Sequence, residues 1–154
     1  MANLINNQLN IEVRDTVFDP SLPRSDDSPV HWRKDSGKLE YKVWLYLEGN
    51  DLPYIQSVTY TLHQDFRNPN RTVSRSPANP NCQLVIWTPG LFTVKVTILD
   101  KKGFSYEVAH LLAYDQELPP WGDRYVPEEE DRSSSSRPTP CGLTNNSWPQ
   151  QQTL

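Results

Sequence analysis

Between Ser57 and His63 the side chains alternate. Val58, Tyr60 and Leu62 point one way, Thr59, Thr61 and His63 the other. That is the period-2 pattern of a half-buried β-strand. It stops at His63-Gln64-Asp65-Phe66, and Asn68-Pro69-Asn70 then forbids a continuing ladder, because proline has no N–H to donate. The stretch SVTYTLHQDFRNPNR, residues 57–71, therefore delivers His63, Asp65 and Phe66 to the mouth of a loop at the edge of a sheet. A ring beside a histidine and a carboxylate at a strand end makes a small binding surface. The other reading of Phe66 is a core ring that anchors the loop.

The same alternation recurs along the chain. Leu9 to Arg14 reads as a first strand. Asp19 to Pro29 is a long proline-punctuated connection, too polar to bury, which His31 and Trp32 pin to the body. Lys38 to Glu48, KLEYKVWLYLE, is the strongest strand. Leu39, Tyr41, Val43, Leu45 and Leu47 share one face, and Trp44 and Tyr46 the other. Large side chains on both faces indicate an interior strand, or one whose outer face carries a binding surface. Gln83 to Trp87, Phe92 to Leu99 and Phe104 to Leu112 complete the set, with Gly103 at the positive-φ position of a hairpin turn. Residues 67–82 read as a long loop.

No segment holds a helical 3.6 period beyond a turn or two. About six to eight short strands without βαβ alternation predict an all-β fold, a two-sheet antiparallel β-sandwich. Its expected core is Leu39, Val43, Leu45, Val58, Tyr60, Leu62, Phe92, Val94, Val96 and Ile98.

The 154 residues fit one domain. Fourteen prolines against six glycines suit a chain of turns and edges. After Tyr114 the composition shifts to acidic, serine and proline residues that cannot repay their ordering entropy. The expected organisation is a sandwich over residues 1–122, with its core at 38–115, and a disordered tail over 123–154. A net charge of -4 argues against a nucleic-acid partner. The N-terminal MANLINNQLNIEVRD lacks a basic region followed by an apolar core, and no apolar run approaches the roughly 20 residues of a membrane span. The expectation is a soluble, cytoplasmic protein without a membrane partner.

Catalysis lacks a constellation. His31, His63 and His110 are scattered, with no metal-type spacing. Cys82 lies in a polar loop and Cys141 in the tail, neither with the context of an activated thiol, and no disulfide between them is expected. Ser74, Ser76 and Ser133 to Ser136 sit in no nucleophile elbow. No glycine-rich phosphate loop appears. The chain reads as a non-catalytic module with neither cofactor nor metal.

The aromatic residues carry more. Five Trp and seven Tyr against four Phe favour rings with a polar edge, which serve binding surfaces. Two loops follow strands with rings or bends, His63-Gln64-Asp65-Phe66 and Trp87-Thr88-Pro89-Gly90-Leu91-Phe92. Such loops can converge at one end of a sandwich. Two facing rings would then form a slot for a flat, neutral group. Trp87 either lines that slot or belongs to the core; the alternation through Ile98 assigns Phe92 to the core.

The order YKVWLYLEG, SVTYTLHQDFRNPNRTV, a WTPGLF turn and an alternating TVKVTI strand resembles the YEATS domain in its prokaryotic branch, over roughly residues 38–115. LHQDFRNPNR is the most specific piece, similar to the family's Leu-His-x-x-Phe followed by a proline and a basic residue. The resemblance implies an immunoglobulin-like β-sandwich that reads acylated lysine on protein tails, with the acyl-amide held between rings from two loops. It places Phe66 as the first aromatic wall, His63 at its base, and Asp65 where a small hydroxyl residue often stands. Anchoring the second turn on Phe92 sets Pro89 at the second wall, with Gly90 just after it. The implied partner is a protein or peptide, with an acylated lysine or similar amide as ligand. The alternative is a protein-interaction module bound through another surface, with the slot degenerate.

Overall fold

The computed structural model describes residues 4–5 and 9–128. Strands run in the order β1 (Leu4–Ile5), β2 (Leu9–Asn10), β3 (Glu12–Thr16), β4 (Val30–Asp35), β5 (Lys38–Glu48), β6 (Ile55–Thr61), β7 (Asn70–Ser74), β8 (Leu84–Thr88), β9 (Thr93–Asp100), β10 (Ser105–Leu111) and β11 (Tyr125–Pro127). Short 3-10 turns lie at Leu52–Tyr54 and Tyr114–Glu117.

Two sheets face each other. The first is ordered β10-β9-β6-β7. The second is built on β5, the longest strand. Trp44 pairs with both Thr16 and Val85, and Tyr41 with both Trp32 and Thr88. A residue has one neighbour on each side, so β4 and β3 succeed one another along one edge of β5 and β8 occupies the opposite edge. Strand β11 adds in parallel to β4. The orders β3-β5-β8 and β10-β9-β6-β7 correspond to A-B-E and G-F-C-C′ of the immunoglobulin plan. The fold is an immunoglobulin-like β-sandwich.

Inward-facing Val43, Leu45, Leu47, Val58, Tyr60, Ile86, Val94, Val96 and Ile98 are buried between the sheets. Each such side chain contributes on the order of 1.5–3 kcal/mol relative to exposure. Tyr60 is accommodated because its hydroxyl donates to the Cys82 carbonyl at 2.7 Å. Burial pushes its phenol well above the ordinary value, so it serves as a neutral donor. Of the expected core, Leu39 and Phe92 are half-buried rather than buried.

Two features depart from expectation. Residues 67–82 are not all loop, because β7 returns antiparallel on β6, from Ser57 opposite Ser74 to Thr61 opposite Asn70. Proline does stop the strand from continuing, yet it still accepts: Leu62 N–H donates to Pro69 O at 2.8 Å, closing the reversal. As an interior strand requires, β5 keeps Trp44 on its outer face only 4% exposed, with His31 edge-on at 6.3 Å and the Lys42 ammonium 5.3 Å from its ring. The body also runs past residue 122. Tyr125 is buried, stacks on Trp121 at 4.2 Å and donates to Pro119 O at 2.6 Å, while Glu128 N–H bonds Trp32 O. The remainder of the expected tail, 129–154, lies outside the described residues.

Candidate functional site

The β6–β7 and β8–β9 connections lie at the same end of the sandwich. In the first, Phe66 N–H donates to His63 O at 2.9 Å, forming a tight turn that folds the ring back over the sheet end. Asn68 takes a left-handed φ of 52°, which asparagine tolerates better than most residues. Arg71 then spans the reversal, donating to Asn68 O at 2.6 Å and Arg67 O at 2.8 Å. The loop is thus shaped by backbone bonds while residues 63–65 stay exposed.

In the second connection Thr88 performs two tasks. Its buried hydroxyl donates to Gly90 O at 2.7 Å and accepts Gly90 N–H at 3.3 Å, which fixes the Pro89-Gly90 turn. Phe92 follows, and its carbonyl accepts Leu112 N–H at 3.1 Å, tying the loop to the segment after β10.

The rings of Phe66 and Phe92 meet at 5.3 Å between centroids, tilted by 48°. His63 stands edge-on to Phe92 at 6.2 Å. Asp65 N–H donates to His63 Nδ1 at 3.1 Å, and the Asp65 carboxylate lies 3.5 Å from the same nitrogen with its side chain 86% exposed. Accepting the amide leaves Nδ1 without a proton, so Nε2–H is the ring's free donor. Leu91 and Leu111 are exposed on the two segments that the Phe92–Leu112 bond joins.

The structure brings His63, Asp65 and Phe66 together and sets against them Phe92, the ring expected in the core, where the resemblance implies Pro89 and Trp87 was one of two readings. Trp87 pairs with Lys42, whose side chain points away from the core, so it lies on the outer face of the other sheet. There the Arg33 guanidinium covers it at 4.6 Å and also bonds Glu40 at 2.8 Å. Pro89 is exposed and Gly90 half-buried in the turn that carries Phe92. The sequence signal for Phe92 as a site ring was its position just after that turn; its continuous alternation with Val94 masked it. Thr88 had no signal beyond being a hydroxyl two residues before a glycine.

A sandwiched planar group needs about 7 Å between ring planes, twice a contact of roughly 3.5 Å. At 5.3 Å the two rings touch each other and leave no such gap.

Other features lie apart from these loops. A groove of about 770 Å³ whose lining includes Phe18, Arg24, Tyr46, Asn79, Asn81 and Gln83 contains none of the residues of these two loops. Among the described residues no group of three or more His, Cys, Asp or Glu side chains could hold a metal ion. The Cys82 thiol is free and buried, and burial pushes it up to about 11. It is a packed side chain, not an activated nucleophile. No helix among the described residues is long and apolar enough to cross a membrane.

An immunoglobulin-like sandwich that presents rings from two loops at one end belongs to the class of β-sandwich binding domains. Residues 39–113 match the family model of the prokaryotic YEATS domain. Two solved structures are similar to it. One is the Yaf9 YEATS domain recognising an H3K122suc peptide, 15% identical, covering 70% of this chain and 78% of that one with a TM-score of 0.47. The other is the yeast AF-9 homolog protein Yaf9, 14% identical, covering 67% and 68% with a TM-score of 0.44. No curated protein matches the chain.

Proposed function

We propose that the chain is a non-catalytic binding module that takes a protein or peptide partner at the Phe66 loop, with an acylated lysine or similar flat amide as its ligand. The observation that carries this is the half-exposed cluster of His63, Phe66 and Phe92 where two loops meet. The match of residues 39–113 to the prokaryotic YEATS family model supports the same reading. Because the rings touch, the amide enters by displacing Phe66 from Phe92, and the exposed loop residues 63–65 and 67–68 allow that movement. His63 Nε2–H is the donor available to the amide oxygen. Each ring–amide face contributes on the order of 0.5–1.5 kcal/mol beyond area burial.

The same contact favours a second reading, in which the closed ring pair is part of an apolar docking surface with Leu91 and Leu111 and no acyl group is bound. Asp65 then pairs with a cationic side chain of the partner. Calorimetric titration of unmodified, acetylated and crotonylated lysine peptides separates the two. The acyl reading requires binding that depends on the acyl group and is lost in Phe66→Ala and Phe92→Ala. Absence of binding by all three peptides discards it.

A further inference from the structure

We infer that β8 is a dimerisation edge, through which two copies of this chain join their β5-centred sheets in one antiparallel ladder. The other open edges of the sandwich carry devices that discourage strand addition. Strand β3 bears Glu12, Arg14 and Asp15; β7 bears Arg71; β10 bears Glu107 and His110; β11 ends on Pro127. Strand β8 reads Leu84-Val85-Ile86-Trp87-Thr88, with no charge, proline or glycine. Its neighbour on one side is β5, and among the described residues no strand pairs with the other side.

The backbone groups on that side follow from the ladder. Leu47 N–H donates to Asn81 O at 2.9 Å, so the odd-numbered residues of β5 bond toward β8. Tyr41, Val43 and Leu45 stand opposite Thr88, Ile86 and Leu84. By alternation, the N–H and C=O of Val85 and Trp87 point away from β5.

A second copy fits this edge because the strand is its own complement. With a twofold axis at Ile86, Val85 of each copy stands opposite Trp87 of the other. Val85 and Trp87 are the residues with outward backbone groups, so each such pair exchanges two N–H···O bonds. On the outer face a β-branched side chain meets an aromatic ring, a favourable cross-strand pair. On the inner face the two buried Ile86 side chains extend one core into the next. No like charges meet, and the contact is isologous and closes at two copies. Arg33 stays with its own Trp87 and Glu40.

Sedimentation equilibrium of the full chain across a micromolar concentration series tests this. The expected result is a concentration-dependent species of twice the 17.8 kDa chain mass. Val85→Lys, at a residue already 37% exposed, should sediment as a monomer with an unchanged melting curve. The double variant Val85→Glu/Trp87→Lys sets opposite charges across the twofold and should regain the dimer that Val85→Glu loses. Hydrogen exchange needs no variant: the Val85 and Trp87 amides should become protected as wild-type concentration rises. A wild type that is monomeric throughout overturns the inference, as does a dimer indifferent to Val85→Lys. Protection of both amides in a sample that sediments as monomer also overturns it, since the edge is then filled by the chain's own residues.

Discussion

Replacing His110 by alanine should loosen the junction between the two sheets at the end that carries the loops. His110 Nε2 lies 2.6 Å from Asp15 Oδ1, joining β10 to β3 across the open side of the sandwich. The Asp15 side chain is 2% exposed, and Ala113 N–H bonds it at 2.9 and 3.2 Å. Removing the imidazole takes one hydrogen bond from a buried carboxylate and leaves the amide in place. A hydrogen bond to a charged group contributes roughly 1.5–3 kcal/mol, so the retained amide sets the expected loss near 2 kcal/mol. For a domain of this size that is a fall in Tm of about 6–8 °C. Asp15→Ala should cost more, because it strands both the imidazole and the amide. The decisive measurement is the double-mutant cycle by urea denaturation, where the pair should show a coupling of about 1.5–2 kcal/mol. Coupling below about 0.5 kcal/mol would mean that the two groups are neighbours without interacting, and the reasoning would fail.

Ending the chain after Asp123 should cost about 3–5 kcal/mol, since it removes buried Tyr125, its stack on Trp121 and the β11 ladder. A chain ending after Glu128 keeps these, so equal melting curves for the two would refute the role of β11. Cys82, buried and with its thiol pushed up to about 11, should resist iodoacetamide at pH 8 in the native protein and react in urea; labelling of the native residue would show that the β7–β8 loop opens. Asp100 should make the fold acid-sensitive. Burial alone would raise its carboxyl, but the Phe104 amide, the Tyr106 hydroxyl and the Lys102 amide outweigh that and hold it below the ordinary value. Its contribution is therefore present above an unfolded pKa of about 3.9 and is lost as pH falls through the lower folded value. Asp100→Asn should flatten the urea midpoint between pH 6 and 3 relative to wild type, and parallel profiles would count against it.

The sandwich was legible because β5, β6 and β9 obey one rule that burial enforces. Val43, Leu45, Val58, Tyr60, Val94, Val96 and Ile98 all face inward as their alternation requires. A register error of one residue would have turned every one of them to solvent. What escaped was decided by partners remote in sequence. Strand β7, NRTVS, has too little apolar content to announce itself and exists because β6 offers it a ladder. Tyr125 looked like tail because its environment is low in apolar residues, yet Trp32, Tyr41 and Trp121 supply the surface that holds it.

The site shows the same division. His63, Asp65 and Phe66 are fixed by local backbone bonds, and the strand-then-proline pattern placed them correctly at a loop mouth. The opposing ring depends on which face of β8 and β9 meets that loop. Trp87 stands opposite Lys42, on the outer face, so no local turn can bring it to Phe66. Phe92, five residues later and across the Thr88-locked turn, belongs to the sheet that β6 itself pairs with, and so arrives beside Phe66. Which ring meets Phe66 is therefore set by sheet membership rather than by proximity to the proline. A Pro89→Trp variant tests that logic. If the turn presents residue 89 to the Phe66 loop, a ring there should strengthen amide binding while Phe92 stays packed. Unchanged binding, with the loss in Phe92→Ala intact, would leave Phe92 as the wall and Pro89 as scaffold.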